Sequence, residues 1–480
     1  MAGGGIPIAT TTIEGGYLTG RKLIYPICLI TSLFFLWGFS YGLLDVLNKH
    51  FQNVLGITKL ESTGLQVMYF GGGYLLFSPI AAEVMKRKGY KITILMGLAF
   101  YSIGAVAFWP TAHFSSREHA SASFGGFCVC TLVIACGLAT LETAANSYAT
   151  VIGSPATASA RLQFCQSWNG VASFIGPLIA SKFFFTGENA NNLTNVQFVY
   201  LAVSCAGVAI AVLFIFSKLP EAQEAQTAIR SGSVIEDGPI DEYGNEVEQG
   251  PIYKEYNMIF AFVAQFCYVG AQVTIGSFFI NYATENATYT SAQASNMLSY
   301  ALIVFTVGRF IATGLATIFE SNFLITFYSI CAIALNAYIC AGKGDAAVAV
   351  LIVIYFFEAP MYPSIFTLGT ANLGKHTRRG AGILVMGVSG GAVFPPIQGA
   401  IADAANTRIS FVVPLVGFVV VLAYVGFHWV RNGMPILRRK DEEIVAAAAV
   451  LGGGVIEKRS MSISGDVHKV AEQRVDMVKN

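Results

Sequence analysis

Apolar stretches of about 20 residues, the length that crosses the hydrocarbon core of a bilayer as an α-helix, recur along the chain. Twelve can be counted, in two groups of six. The first group lies near 24–47, 62–84, 91–111, 122–150, 163–185 and 196–217, and the second near 257–283, 293–318, 322–342, 346–372, 380–403 and 408–430. The pattern predicts an all-α membrane protein with twelve transmembrane helices in two six-helix halves.

The polar segments indicate how these helices are joined. Residues 1–23 form a tail without the basic-then-apolar layout of a signal peptide. The two halves, 24–217 and 257–430, flank residues 218–256. This segment contains nine acidic residues and three basic ones. Such a segment is typical of a solvated linker. Residues 431–480 begin with basic side chains and become low in complexity.

Composition supports a multi-pass integral membrane protein. Only 12% of the 480 residues are charged, about half of the roughly 25% in soluble domains, and the mean hydropathy is +0.60. A formal net charge of +1 argues against nucleic acid as a partner, because nucleic acid selects basic surfaces. The nine cysteines are scattered along apolar segments, so we interpret them as small buried hydrophobes.

Basic residues in the short loops predict the orientation. They cluster between spans 2 and 3 and between spans 10 and 11, at Lys86, Arg87, Lys88, Lys91, Lys375, Arg378 and Arg379. We therefore expect these loops, the linker and both tails in the cytoplasm. Glycosylation sequons begin at Asn192 and Asn286, in loops that this topology assigns to the outside.

The two halves share an internal repeat. The segment ETAANSYATVIG in span 4 aligns with EAPMYPSIFTLG in span 10, each with Glu first and Gly twelfth. Each leads to an Arg and then to a Pro sixteen residues later. The matched residues are Glu142, Gly153, Arg161 and Pro177 in the first half, and Glu358, Gly369, Arg379 and Pro395 in the second. Two pseudo-symmetric halves around a midplane site are typical of rocking transporters.

Polar side chains inside the spans are the candidate site, because an ionisable residue in mid-bilayer is costly. Asp45 shares a helix face with Trp37 and Tyr41, at i−8 and i−4, if the first helix continues to Leu55. A carboxylate beside aromatic rings suits a sugar, whose hydroxyls donate to the carboxylate while its C–H face packs on a ring. Alternatively, Asp45 caps the helix near the outer interface.

Spans 4 and 5 contribute a second group of polar residues. Glu142 has Asn146 one turn later, and Gln163, Gln166 and Asn169 follow in span 5. A glutamate among amides can bind hydroxyls and change its protonation state. The alternative is a hydrogen bond that only joins packed helices.

The second half offers weaker candidates. Glu358 lies in a span that we expect to be irregular because of Pro360 and Pro363. A functional and a purely structural role for this residue both stay open. Arg309 is either a buried partner of a carboxylate or extends to the cytoplasmic edge. In span 7 a polar stripe, interpreted as a cavity wall or as helix-packing contacts, consists of Gln265, Tyr268 and Gln272. The sequence contains no P-loop, metal-ligand cluster or Ser/Cys–His arrangement, so we expect neither an enzyme nor a metal or organic cofactor.

Six segments in order resemble the L-fucose:proton symporters of the major facilitator superfamily. They are FFLWGFSYGLLDVLNKHF (34–51), GLQVMYFGGGYLLFSPIA (64–81), LETAANSYATVIG (141–153), RLQFCQSWNG (161–170), AQFCYVGAQ (264–272) and YPSIFTLG (362–369). The resemblance covers about 24–430 and implies the major facilitator fold, with the proton as coupling ion. Relatives carry fucose, glucose, galactose and other hexoses, so it specifies the substrate less closely.

The resemblance also implies roles for particular residues. Proton coupling falls on Asp45 and Glu142, and Glu142 also binds sugar. The cavity-lining positions fall on Gln166, Asn169, Gln265, Tyr268 and Gln272. Tyr362, in the similar YPSIFTLG segment, is a further substrate-binding candidate. Glu358 stands where we expect the family to be apolar, so a third carboxylate is expected at the cavity.

The sequence therefore predicts a monomeric sugar:proton symporter in the plasma membrane, working by alternating access. An efflux antiporter for an amphipathic metabolite would have a mainly apolar cavity, against which the polar residues argue. A non-transporting nutrient receptor would be expected to carry a long structured cytoplasmic extension, and the tail after residue 431 is low in complexity.

Overall fold

The protein is α-helical along nearly all of the chain that the computed structural model describes. The described residues are 18, 20–56, 64–116, 118–154, 157–184, 194–220, 251–371, 373 and 376–438, except for the side chains of 44–50, 52–53, 177–184, 194–195 and 291–292. The first half contains α1 (Arg21–Leu55), α2 (Gly64–Gln66), a π-helix (Val67–Leu75), α3 (Leu76–His113), α4 (Ala120–Val151), α5 (Ala158–Phe184) and α6 (Thr194–Phe216). The second half contains a 3₁₀ turn (Ile252–Lys254), α7 (Tyr256–Asn286), α8 (Ser291–Ile318), α9 (Ser321–Ala341), α10 (Gly344–Glu358), α11 (Met361–Thr370), α12 (Thr377–Met386), a 3₁₀ turn (Gly387–Ser389), α13 (Gly390–Ala404), α14 (Thr407–Ser410) and α15 (Val412–Arg431).

The described helices account for the twelve predicted crossings. Ten helical stretches of the described chain are long and apolar enough to cross a membrane. One of them, Gly64–His113, has 50 residues and comprises two crossings that meet at Gly89, where φ is +83°. The 27-residue helix α5 supplies the remaining crossing. The prediction of twelve transmembrane helices is confirmed.

The first helix extends beyond its apolar run. Helix α1 continues to Leu55 and ends at Gly56, whose φ of +69° is a conformation that glycine adopts without strain. Asp45 therefore lies in α1, about two-thirds along the helix, but its side chain is outside the described residues.

Glycines let neighbouring helices approach closely. A Cβ atom at Gly73 would lie 2.8 Å from the carbonyl carbon of Ala135 in α4, and one at Gly390 would lie 2.9 Å from that of Phe266 in α7. In lipid, association of helices depends on such packing because the surrounding tails are as apolar as the helices. The glycine-rich segments of the sequence are thus packing surfaces.

The tenth crossing is broken between α10 and α11. Two prolines lie at this break, Pro360 before the first residue of α11 and Pro363 in its first turn, and neither has an N–H to donate to the carbonyl four residues earlier. Side chains from other helices donate to two carbonyl groups at the break, one of which, that of Pro360, also accepts the Ser364 N–H at 3.3 Å. The Tyr268 hydroxyl donates to the Glu358 carbonyl at 2.9 Å, and Gln163 Nε2 donates to that of Pro360 at 2.8 Å. Gln163 belongs to the other half, so the break is held from both sides.

The arginines at equivalent repeat positions have different partners. Arg161 caps the end of α4, with Nε 3.0 Å from the Ala149 carbonyl oxygen and Nη2 2.7 Å from that of Thr150. Arg379 instead crosses to the first half, where its Nη2 lies 2.8 Å from Glu83 Oε2. The end of the molecule that carries this ion pair and the basic loops, predicted to be cytoplasmic, is called the basic face below.

The chain after the last helix remains on the basic face. Leu437 forms an antiparallel bridge with Phe319 in the connection between α8 and α9. The Glu320 N–H donates to the Ile436 carbonyl at 3.0 Å, and the Arg438 N–H donates to that of Ile318 at 3.0 Å. The beginning of the predicted tail therefore packs against the second half.

Candidate substrate-binding site

A cavity of about 170 Å³ lies between the two halves. Its walls come from α1, the π-helix, α4 and α5 on one side and from α7, α8, α10 and α11 on the other. The polar and aromatic lining residues are Trp37, Tyr41, Tyr69, Phe70, Tyr74, Glu142, Gln166, Asn169, Ser173, Gln272, Phe305, Thr306, Arg309, Tyr355 and Tyr362. Helix α7 contributes Val269, Gln272, Val273 and Gly276, all from the middle of the helix or beyond, away from the basic face. The cavity is thus central and is closed towards the basic face.

Glu142 is the carboxylate of this cavity. It is 1% exposed and projects from α4, and the hydroxyl of Tyr362 in the other half donates to its Oε1. Asn146, one turn further along α4, donates from Nδ2 to the same hydroxyl at 3.3 Å. The carboxylate therefore has a donor from the opposite half and belongs to the contact between the halves.

Arg309 is the cation of the cavity. It is 4% exposed, and its Nη1 lies 2.6 Å from the Gln166 carbonyl oxygen and 3.0 Å from Asn169 Oδ1. Its guanidinium carbon lies 4.4 Å from the centroid of the Phe305 ring. Of the two alternatives for Arg309, extension to the cytoplasmic edge does not occur. The side chain is buried, and its hydrogen-bond acceptors here are neutral groups of α5.

The two α5 amides that line the cavity, Gln166 and Asn169, have different functions in the structure. Both polar atoms of the Asn169 amide form hydrogen bonds within the protein. Its Nδ2 donates to the Phe34 carbonyl at 3.3 Å, and its Oδ1 accepts from Arg309. Gln166 Nε2 is buried and has no hydrogen-bond partner among the described residues. Gln166 thus offers a donor to a ligand, whereas Asn169 orients Arg309.

Aromatic rings cover the wall beside α1. The Tyr41 and Phe70 rings meet edge to face with centroids 6.1 Å apart. The ring centroids of Trp37 and Phe34 are 5.1 Å apart. Tyr69, Phe70 and Tyr74 reach the cavity from the π-helix, a geometry that is frequent at functional sites. These three residues were not among the predicted site residues, although the sequence shows aromatic residues on both sides of Gly71–Gly73.

The structure brings most of the predicted substrate-binding residues together. Those that line the cavity are Trp37, Tyr41, Glu142, Gln166, Asn169, Gln272 and Tyr362. Asn146, Gln265, Tyr268 and Glu358 are fully buried outside the lining. Glu358 was expected at the cavity, but it lies one turn nearer to the basic face than Tyr355, at the helix break that Tyr268 contacts.

Three other candidates lie away from the cavity or outside the described residues. The Asp45 side chain and Asn192 are outside the described residues. Asn286 is the last residue of α7, at the end opposite the basic face, and its Nδ2 donates to the Tyr282 carbonyl at 3.2 Å. Its position agrees with the predicted topology, and glycosylation stays a prediction.

The charges of the lining indicate which ligands fit. Among the described lining residues, Glu142 and Arg309 are the charged side chains and have opposite signs. A site with balanced charge, free polar atoms and several rings suits a neutral molecule with many hydroxyl groups. A polar cavity shared by two helical halves in a membrane is typical of a transporter.

Comparison with known proteins identifies the family. The family model of the Major Facilitator Superfamily matches residues 29–389, so the chain belongs to this superfamily. A glucose/galactose transporter of Brucella abortus is 30% identical over 405 residues, which are 83% of this chain and 92% of the relative. An L-fucose-proton symporter of Escherichia coli is 28% identical over 429 residues, 85% of this chain and 94% of the relative.

Solved structures support the same assignment. FucP, the fucose:proton symporter of Escherichia coli, was solved in the outward conformation. That structure superimposes with a TM-score of 0.71 at 28% identity, covering 85% of this chain and 99% of FucP. The predicted fold class is therefore confirmed, and the protein is a multi-pass integral membrane protein.

Proposed function

We propose that this protein is a proton-coupled symporter for a monosaccharide, L-fucose or a related hexose or deoxyhexose. The observation that carries the proposal is the cavity between the halves, where Glu142, the free Gln166 amide and the Trp37 and Tyr41 rings face one space. Carboxylate and amide groups bind sugar hydroxyls, and the rings pack on the C–H face of the pyranose. The names of the relatives support this class of substrate.

Alternating access follows from the arrangement of the halves. The cavity is closed on the basic face by contacts between the halves, including the Arg379–Glu83 ion pair. Rocking of one half against the other would open this face and close the opposite one around a fixed site. We propose inward transport across the plasma membrane by a monomer, without a metal or organic cofactor.

The coupling groups in this proposal are Asp45 and Glu142, with the proton as coupling ion. Moving one elementary charge through 100 mV yields about 2.3 kcal/mol, which corresponds to about 50-fold accumulation of a neutral sugar. One proton per sugar is thus enough to drive concentrative uptake.

The direct test is transport by the purified protein in liposomes. Labelled hexoses and deoxyhexoses are supplied with and without an imposed pH gradient, and protein-free liposomes provide the background. We expect concentrative uptake of at least one sugar that stops when a protonophore collapses the gradient. Uptake of no sugar in the panel, or uptake that ignores the gradient, would refute the proposal.

A further inference from the structure

A second buried carboxylate lies in the half opposite Glu142. Glu358 is the last residue of α10, at the break of the tenth crossing, and it is 0% exposed. Its backbone carbonyl accepts the Tyr268 hydroxyl, so the backbone of this residue is satisfied. Neither carboxylate oxygen, Oε1 or Oε2, has a hydrogen-bond partner among the described residues.

In the described part of the chain, the elements packed against α10 place no cation on this carboxylate. Helix α8 is in direct contact, because a Cβ at Gly308 would lie 3.1 Å from the Ala359 Cβ. The next residue, Arg309, turns its guanidinium to α5 and to the Phe305 ring. No ion pair of Glu358 occurs in the part of the chain that the structure describes.

The remaining titratable groups near Glu358 are phenols. Tyr268 of α7 donates to the backbone carbonyl of Glu358. Tyr328 of α9 stacks on Phe356 with centroids 5.8 Å apart. On its own crossing, Tyr355 lines the cavity, and Tyr362 donates to Glu142. Among the described residues, the surroundings of the carboxylate are therefore uncharged apart from Arg309, whose contacts lie elsewhere.

An ionised carboxylate in such a place would cost several kcal/mol, because neither a cation nor a donor replaces its hydration. The neutral acid avoids this cost. We propose that Glu358 binds a proton in this conformation and releases it when the basic face opens, so that the second half carries a proton of its own. This inference rests on the proposed symport function and adds a proton-carrying residue to it.

The helix break provides the route for release. Gln163 of the first half donates to the Pro360 carbonyl, two residues after Glu358, and also to Ser364 Oγ at 3.1 Å. When the halves part on the basic face, these contacts open and water reaches the break. The Glu358 proton then passes to that water, and the carboxylate left behind is hydrated.

The test is the number of protons carried per sugar in liposomes. Proton influx is read from an internal pH dye and sugar influx from the labelled substrate, in the same preparation. We expect Glu358→Gln to lower the ratio by one proton per sugar. The matched control is Asp345→Asn, which removes an exposed carboxylate from the first turn of the same helix and should leave the ratio unchanged.

The outcomes separate the two proposals. Wild-type protein that moves no sugar together with protons refutes the symport function itself. Wild-type symport with a ratio that Glu358→Gln leaves unchanged overturns the role of Glu358 alone. A second measurement covers a Glu358→Gln protein that folds poorly: Glu358→Asp keeps the acid, and it should shift an infrared C=O band of a neutral carboxylic acid. A spectrum without such a shift means that the group is ionised, which also overturns the inference.

Discussion

Removing the ion pair across the basic face should favour the inward-open state by a small and calculable amount. Arg379 Nη2 lies 2.8 Å from Glu83 Oε2, but the two side chains are 39% and 32% exposed. Exposed pairs contribute about 0.2–1 kcal/mol, because water and salt screen them. We therefore expect Arg379→Gln to raise the population open at the basic face by a factor of about 1.4–5.

The assay is the labelling rate of a thiol at the closed junction. Ser364 of α11 is 0% exposed, and its Oγ lies 3.5 Å from Ser159 Oγ of the other half. Ser364→Cys, in a background with the nine native cysteines replaced, should react with an impermeant maleimide only when the basic face opens. The reaction is followed in vesicles that expose this face, with and without Arg379→Gln.

Arg87→Gln is the matched control. Arg87 Nε lies 2.8 Å from Glu83 Oε1, but both residues belong to α3, so this pair does not join the halves. The labelling rate should stay unchanged in Arg87→Gln. If Arg379→Gln changes the rate no more than this control, or raises it more than tenfold, the estimate of the closing energy is refuted.

Four further predictions concern the site, coupling, topology and packing. Glu142→Gln should weaken sugar binding roughly tenfold or more, because a charge-assisted hydrogen bond contributes about 1.5–3 kcal/mol; unchanged affinity in calorimetry would place the sugar elsewhere. Asp45→Asn should abolish accumulation against a gradient while exchange between equal pools continues, and continued accumulation in liposomes would assign coupling to another carboxylate. Cysteine in place of Ser233 should resist impermeant reagents in intact cells, and its labelling there would overturn the topology. Gly390→Ala should lower the melting temperature, since a Cβ would lie 2.9 Å from the Phe266 carbonyl carbon and overpacking costs about 1–3 kcal/mol; an unchanged melting curve would contradict this.

Hydropathy predicted the twelve crossings because lipid leaves the backbone few alternatives to helices. The absence of a helix breaker before Gly56 also predicted the end of α1. Local geometry was harder to predict. Pro360 and Pro363 indicated an irregular tenth crossing, but the side-chain donors to the carbonyls at the break come from distant segments of the chain, Tyr268 and Gln163.

Helical periodicity predicts on which face of a helix a residue lies. It does not predict how far along the helix axis the cavity extends. Gln265 and Gln272 were placed in one stripe, yet only Gln272 reaches the cavity, because Gln265 lies two turns nearer to the closed basic face. Arg309 shows the same limit. The sequence placed it in a span but left open whether its side chain is buried or extends to the cytoplasmic edge. Its acceptors, the Gln166 carbonyl and Asn169 Oδ1, depend on how the halves pack.

The bond between Gln163 and Pro360 links the opening of the basic face to its wetting. The donor moves with one half and the carbonyl with the other, so separation of the halves breaks the bond. The Pro360 carbonyl keeps the Ser364 N–H, at 3.3 Å, but the Gln163 amide loses both of its acceptors, Pro360 O and Ser364 Oγ. A buried donor without an acceptor costs about 1–3 kcal/mol until water replaces the lost partners. Water enters only when the gap between the halves is wide enough for a water molecule. A partly separated state with a narrow, dry gap therefore has the highest free energy along the opening. The same barrier limits leakage, because a narrow gap at the basic face holds no continuous file of water to the site.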